Sequence, residues 1–229
     1  MKLLTYPAPE VNLLPMREVS IEVDWTRMQR QRAAVLKHTE VPPYLILPEV
    51  QQLLNHCYDD TTYQLINILW HTGTRISECL TLTPRHFVLD ADEPYVSVNT
   101  LKQKQPRQGR AKPRYIPISD DEFIASLKRF IRARNIKHNE PLFVFAYSAA
   151  IKRIKRFVAA LDADLQPLIS VTPHTFRHSF AINAVIQGIP SIQVLQGWLG
   201  HKTIASTLIY TQILALETHH FMQKIQFRI

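Results

Sequence analysis

Cysteine and glycine are both scarce in this chain. Its only two cysteines, Cys57 and Cys79, form no close pair in the sequence, so we expect a reducing, cytosolic compartment and no disulfide framework. No Walker loop or dinucleotide-binding fingerprint can be assembled from the five glycines, and the sequence therefore gives no indication of ATP or NAD. These glycines are Gly73, Gly109, Gly188, Gly197 and Gly200.

Long apolar runs and acidic clusters are missing as well. The apolar stretch at residues 143–151 is too short to cross a bilayer. Pro7, Pro9 and Glu10 interrupt the N-terminal region, which therefore lacks the apolar core of a signal peptide. The carboxylates do not form a convincing metal-binding cluster, so we expect neither a metal nor any other cofactor.

Positive charge, in contrast, is abundant. The chain has 27 basic residues against 19 acidic ones, a net charge of +8, and 46% of its 229 residues are hydrophobic. This composition is typical of one good-sized globular domain with a normal core. The excess of positive charge favours a polyanionic partner, with nucleic acid ahead of an anionic membrane.

One stretch in the C-terminal third of the chain concentrates chemically similar polar side chains. His174, Arg177 and His178 lie at positions i, i+3 and i+4 of a predicted helix and therefore share one face. His201 follows the predicted end of the next helix, and Tyr210 comes nine positions after it. The pattern thus places three histidines, an arginine and a tyrosine where they can converge.

Three interpretations compete for this stretch. It can be an ordinary helical core in which the histidines have found hydrogen-bond partners and the tyrosine lies at the surface. It can be a zinc site, but Arg177 sits inside the histidine pair and no HExxH glutamate is present. It can be an anion site beside a nucleophile, because arginine and protonated histidine suit phosphate and Tyr210 offers an oxygen that can be phosphorylated.

The order and spacing of these residues resemble the C-terminal half of the tyrosine recombinase (phage integrase) catalytic domain. That family carries His-x-x-Arg-His, then Leu-Gly-His, then a nucleophilic tyrosine nine residues later, which matches residues 174–178, 199–201 and 210 here. Upstream, TGTRISE resembles the first arginine motif of the family and implies that Arg75 binds phosphate. Glu78 lies one turn further on, within reach of orienting an arginine or a histidine, and an ordinary i, i+3 surface pair is the alternative.

Two basic segments are candidates for DNA contact. Residues 95–118 are predicted to form a β-hairpin, and the resemblance implies a catalytic lysine near the end of its first strand, Lys102, with Lys104 as the alternative. A basic amphipathic helix is predicted at residues 148–161. It fits either a helix that lies on DNA or an ordinary surface helix. The candidate DNA-binding side chains are Lys104, Arg107, Arg110, Lys112, Arg114, Lys152, Arg153, Lys155 and Arg156.

The fold predicted from the resemblance is mainly α-helical with a small antiparallel β-sheet, the α+β architecture of a tyrosine recombinase catalytic domain. That domain is expected at residues 44–229, with a C-terminal helix at 213–229 that docks into a neighbouring subunit. Residues 1–43 are expected to form an arm and linker, with a solvated or DNA-contacting helix at 23–40. About forty residues are too few for a separate N-terminal domain, so the chain resembles the short fimbrial-switch recombinases.

The resemblance implies a metal- and ATP-independent strand transfer. Arg75 and Arg177 would clamp the phosphate, while His174 and His201 would add hydrogen bonds or move protons. Lys102 would protonate the leaving 5′ oxygen, and Tyr210 would form a 3′-phosphotyrosyl bond. His178 is expected to be a structural support.

The expected partner is double-stranded DNA, bound by a homotetramer on paired sites, with accessory DNA-bending proteins as further candidates. The programme implied is integration, inversion or resolution of mobile or plasmid DNA, at the bacterial nucleoid in the cytoplasm. The alternatives are a type IB topoisomerase-like nicking-closing enzyme, a non-catalytic DNA-binding module and, more distantly, a zinc hydrolase. Strand exchange between two duplexes, as opposed to relaxation of one, separates the first alternative from a recombinase.

Overall fold

The computed structural model describes residues 24–99 and 113–217 of the chain. In this part the fold is mainly helical with one small antiparallel sheet, which confirms the predicted fold class. The helices are α1 Trp25–His38, α2 Leu47–Asn55, α3 Asp60–Thr72, α4 Ile76–Cys79, α5 Asp121–Ala133, α6 Tyr147–Ala159, α7 Pro173–Ile186, α8 Ile192–Leu199, α9 Ala205–Leu208 and α10 Gln212–Glu217. The strands are β1 Phe87–Val88, β2 Tyr95–Val98 and β3 Arg114–Pro117.

The sheet has the order β1-β2-β3, with both pairs antiparallel. Val96 pairs with Ile116 in the β2–β3 register, and both side chains are fully buried. The β2–β3 pair confirms the two strands of the predicted hairpin. Its connection at residues 100–112 lies outside the described residues.

Helix termini follow the local chemistry of the sequence in most places. The sequence predicts Thr172 as the cap of α7 and Pro173 as its first residue, and the structure confirms both, with the Thr172 side-chain oxygen as the cap. For α5 the pattern predicts Ser119 as the cap, which is wrong, since the Asp120 carboxylate accepts the amide of Phe123 at 2.7 Å. The sequence also predicts that Pro190 opens α8, which is wrong, because Ser191 is the cap of that helix and Pro190 precedes it.

The core has two hydrophobic clusters that meet along α7. The first surrounds α3 and includes residues of α2, α5, α6 and the sheet, with Phe176 of α7 fully buried in it. The second joins α1, α7, α8 and α10 around Ile182 and Leu195 and also contains Tyr210. Helix α7, which contains His174, Arg177 and His178, thus lies between the two clusters.

Helix α1 is part of this second cluster. Its Met28 and Val35 are buried, and Arg32 is 3% exposed. The Arg32 guanidinium donates to both carboxylate oxygens of Glu49, at 2.5 and 2.8 Å, and to the carbonyl of Tyr44 at 3.2 Å. The expectation of a solvated or DNA-contacting helix is therefore wrong for this face, which packs against the rest of the domain.

Candidate active site

Arg177 lies at the centre of the predicted site and connects the C-terminal ends of α3 and α8. It is 3% exposed, and its guanidinium donates to the carbonyl of Gly73 at 2.7 Å and to the carbonyl of Leu199 at 2.6 Å. Gly73 ends α3 with φ 56°, and a Cβ there would lie 2.3 Å from the ring of Phe180. Glycine is therefore required for α3 to end close enough to α7 to meet Arg177.

The pKa of Arg177 is lowered to about 10, mainly by burial and to a smaller extent by the positive charge of Arg75. Arg177 therefore stays protonated at neutral pH. Two positive charges in such proximity favour the binding of an anion between them.

Arg75 precedes α4 and is held by Glu78, one turn further along the chain. The Glu78 carboxylate accepts the Arg75 backbone amide at 2.9 Å and its guanidinium at 3.0 Å. Glu78 is 1% exposed, and it also binds Arg114 of β3 at 2.7 and 3.2 Å. Burial raises the pKa of Glu78, but the hydrogen bonds and charges of Arg114 and Arg75 outweigh this effect and lower it.

Tyr210 lies on a 3-10 turn, Ile209–Thr211, between α9 and α10. The residue is 2% exposed, and its hydroxyl is 2.9 Å from Nδ1 of His178. Burial raises the pKa of Tyr210, and the charges of Arg177 and Arg75 only partly offset it. The phenol is therefore protonated at neutral pH, with an imidazole nitrogen as its hydrogen-bond partner.

Two of the three histidines lie beside this phenol, and the third lies next to one of them. The ring centroids of His178 and His201 lie 6.0 and 6.4 Å from the ring centroid of Tyr210. The ring centroid of the exposed His174 lies 6.4 Å from that of His178. Burial, then the charge of His174, lowers the pKa of His178 to about 4. Burial, then the charge of Arg177, lowers the pKa of His201 to about 4. Both imidazoles are therefore neutral at pH 7.

The structure thus brings together five of the six residues expected to be catalytic, Arg75, His174, Arg177, His201 and Tyr210. The sixth, Lys102, lies outside the described residues, as do Lys104, Arg107, Arg110 and Lys112. Sequence reasoning missed the fully buried Thr207, whose hydroxyl lies 2.9 Å from Nδ1 of His201. Its position three residues before the tyrosine is the only local signal for it.

The assignment of Arg114 to DNA contact is corrected by the structure. Arg114 is 9% exposed and points into the protein, where it binds Glu78 and the carbonyl of Trp198. In the alternating strand Arg114–Pro117 it shares its face with the buried Ile116, while Tyr115 is 57% exposed. That period-2 pattern is the signal that could have identified an inward arginine.

Helix α6 presents its basic residues unequally. Lys152, Lys155 and Arg156 are exposed. Arg153 is half-buried, pairs with Asp59, and lies 5.4 Å above the ring of Phe145. Arg153 is therefore already engaged within the protein, whereas the other three side chains are open to an anionic partner.

Within residues 24–99 and 113–217, no three His, Cys, Asp or Glu side chains form a group that could hold a metal ion. The same residues contain no helix that is both long and apolar enough to span a membrane.

Known proteins resemble this chain in both sequence and fold. The model of the phage integrase family matches residues 44–217. The chain belongs to this family. It is 33% identical to a resolvase of Escherichia coli over 92% of this chain and 89% of that protein. It is 34% identical to a resolvase of Escherichia coli strain K12, over 86% and 81% of the two chains.

Solved structures share the fold. The crystal structure of the XerA recombinase superposes with a TM-score of 0.65 at 25% identity, covering 84% of this chain and 69% of that one. The catalytic domain of bacteriophage HP1 integrase superposes with a TM-score of 0.51 at 25% identity, over 80% of this chain and 99% of the domain. This chain is accordingly an enzyme of the site-specific tyrosine recombinase class.

Proposed function

We propose that this recombinase cleaves one DNA strand at a specific site with Tyr210, stores the phosphodiester energy in a 3′-phosphotyrosyl bond, and passes the strand to a second 5′-hydroxyl. The observation that carries this proposal is the Tyr210 hydroxyl, 2.9 Å from a neutral imidazole and within the field of two buried or half-buried arginines. A phosphodiester under attack gains negative charge on its equatorial oxygens, and this site is built to receive it.

Arg75 and Arg177 bind the two non-bridging oxygens of the scissile phosphate. Both guanidiniums are fixed by protein contacts on one side, Arg75 by Glu78 and Arg177 by the carbonyls of Gly73 and Leu199. Because these contacts hold the forks before substrate binds, little reorganisation is needed as charge develops.

His178 orients the phenol and accepts its proton once a phosphate is bound, because the negative charge of the phosphate raises the pKa of the imidazole. Its pKa of about 4 keeps the imidazole neutral, and with its proton on Nε2 the Nδ1 lone pair faces the Tyr210 hydroxyl. The cationic charge of the two arginines then favours the phenolate. Since Tyr210 is 2% exposed, its hydroxyl reaches a phosphate only after the 3-10 turn that carries it shifts.

The leaving 5′ oxygen takes its proton from Lys102, the residue that matches the family's hairpin lysine. His201 and the exposed His174 donate hydrogen bonds to the phosphate, and Thr207 fixes the ring of His201. The forward step breaks the P–O5′ bond as the P–Oη bond forms. In the reverse step a 5′-hydroxyl from another strand displaces Tyr210, so the bond count is conserved without ATP.

DNA is the substrate, and the basic surface supports its binding. The XerH site-specific recombinase structures, at 21% identity, are bound to difH substrates. Lys152, Lys155 and Arg156 of α6, together with Lys104, Arg107, Arg110 and Lys112, are the proposed phosphate contacts. Residues 44–229 form the catalytic domain, and a C-terminal helix within residues 213–229 docks into a neighbouring subunit to assemble a tetramer on two sites, aided by DNA-bending proteins. Its first residue, Ile213, stays packed in the second cluster of its own chain.

A trapping assay tests this proposal. Nicked duplexes covering the DNA that flanks the gene are incubated with the wild-type protein and with Tyr210→Phe in EDTA, then resolved on a denaturing gel. We expect a slower protein–DNA band with the wild type alone. A duplex that both proteins bind but neither one traps would contradict covalent catalysis. Relaxation of one plasmid without exchange between two duplexes would indicate a nicking-closing enzyme.

A further inference from the structure

Arg114 connects three parts of the active site through one guanidinium. Its two terminal nitrogens donate to the two carboxylate oxygens of Glu78, at 3.2 and 2.7 Å. Its Nε donates to the carbonyl of Trp198, near the C-terminus of α8, at 2.7 Å. A strand residue thereby holds both the support of Arg75 and the end of the helix that leads into His201.

The end of α8 is built closely around this side chain. The Leu199 carbonyl, next to that of Trp198, binds Arg177, so two arginines satisfy carbonyls that the helix leaves open at its end. Gly200 then turns with φ 64°, and a Cβ there would lie 3.2 Å from Cδ of Arg114. The chain thus passes directly over Arg114 before it reaches His201.

The charge balance around Glu78 gives Arg114 a second consequence. Glu78 is 1% exposed and accepts hydrogen bonds from both Arg75 and Arg114. Two guanidiniums against one carboxylate leave one net positive charge. Without Arg114, the Glu78 carboxylate would neutralise Arg75 and draw its guanidinium away from a bound anion.

We infer that Arg114 is a positioning residue for phosphate activation: it takes up the negative charge of Glu78 so that the charge of Arg75 stays available to the scissile phosphate, and it fixes the turn before His201. This inference rests on the proposed function and adds a positioning role to a buried residue of β3.

The decisive comparison uses Arg114→Gln alone and combined with Glu78→Gln. At saturating nicked duplex, we expect Arg114→Gln to form the covalent complex about 100-fold more slowly than wild type, a loss in the range for one transition-state donor, with the Kd for DNA within about threefold. Removing the Glu78 charge as well restores one net positive charge at Arg75. The double variant should therefore regain at least about tenfold of the rate.

A purely structural role for Arg114 predicts the opposite order, since the double variant loses still more contacts. A rate in Arg114→Gln equal to that of the wild type, or a double variant no faster than the single one, would overturn the inference. If Arg114→Gln does not fold, Arg114→Lys decides, because it keeps the charge and loses the bidentate fork and the Trp198 contact. A loss below about tenfold is expected for it, and a hundredfold loss would contradict the charge role.

Inorganic phosphate provides a readout that needs no cleavage. We expect phosphate to raise the melting temperature of the wild type and of the double variant more than that of Arg114→Gln. Equal shifts in all three proteins would also overturn the inference. Tyr210→Phe should show the same phosphate-induced shift in melting temperature as the wild type, so this readout does not depend on cleavage. If no protein cleaves DNA, the proposed function is contradicted. The phosphate-induced shifts then still test the role of Arg114.

Discussion

Tyr210 is coupled to the rest of the site through its hydrogen bond to His178, and this pair decides how the nucleophile is activated. His178→Ala removes the acceptor at 2.9 Å from the phenol. We expect single-turnover cleavage to slow by about 100-fold, the lower range for general base catalysis, with unchanged DNA affinity. His178→Gln keeps a hydrogen-bond acceptor but cannot take a proton, so it should recover only part of this loss. Wild-type rates in His178→Ala would contradict the assignment.

The buried histidines also make stability depend on pH. The pKa values of His178 and His201 fall from 6.5 to about 4 on folding, mainly through burial. The unfolded chain then binds more protons between these values, so this stability is complete above pH about 6.5 and is lost as the pH falls towards 4.

The free energy of unfolding, measured in urea at pH 7.0, 5.5 and 4.5, should therefore decrease as the pH is lowered, by about 1 to 2 kcal/mol for each histidine after screening by solvent. His178→Gln should flatten the dependence without abolishing it, because His201 still titrates. An equally steep dependence in wild type and variant would show that His178 is not the source.

Among the helices, α1 depends on a single buried ion pair. Arg32→Ala leaves Glu49, 9% exposed, without its guanidinium, and we expect a loss of about 3 to 5 kcal/mol in the free energy of unfolding. Arg30→Ala, an exposed position on the same helix, should change it by less than about 0.5 kcal/mol. Urea unfolding of both variants measures the difference.

The same pair offers an internal control. Arg32→Met combined with Glu49→Leu removes both charges, and we expect at least half of the lost stability to return, because no buried carboxylate is left unpaired. A double variant as unstable as Arg32→Ala would indicate that the pair acts through its other contacts, the Tyr44 carbonyl and the Ile46 amide.

Some elements of the fold could be predicted from the sequence better than others. Helical periodicity predicted α7 and the shared face of His174, Arg177 and His178, since these relations depend only on local spacing. The burial of α1 and the inward turn of Arg114 depend on partners far away in the chain, Glu49 and Glu78. A charged side chain predicts solvent exposure by default, and only a tertiary counter-charge reverses that expectation.

At the scale of the whole molecule, the chain carries a net charge of +8, so its affinity for DNA should fall steeply with salt. Lys155 is exposed on α6, whereas Arg153 on the same helix pairs with Asp59. We expect Lys155→Gln to reduce the slope of log K against log salt by about 0.9. Arg153→Gln removes the same charge and serves as the matched control, with a smaller change in slope. Equal slopes for the two variants, measured by fluorescence anisotropy, would place DNA elsewhere.

The central claim is that the Tyr210 oxygen carries the DNA strand, and peptide mapping of the trapped complex measures this most directly. The wild-type complex formed on a nicked duplex is digested with nuclease and protease and analysed by mass spectrometry. The structure predicts one peptide with a 3′-nucleotide adduct on Tyr210, absent from the Tyr210→Phe protein. An adduct on any other residue, or a trapped complex that persists in Tyr210→Phe, would contradict the account.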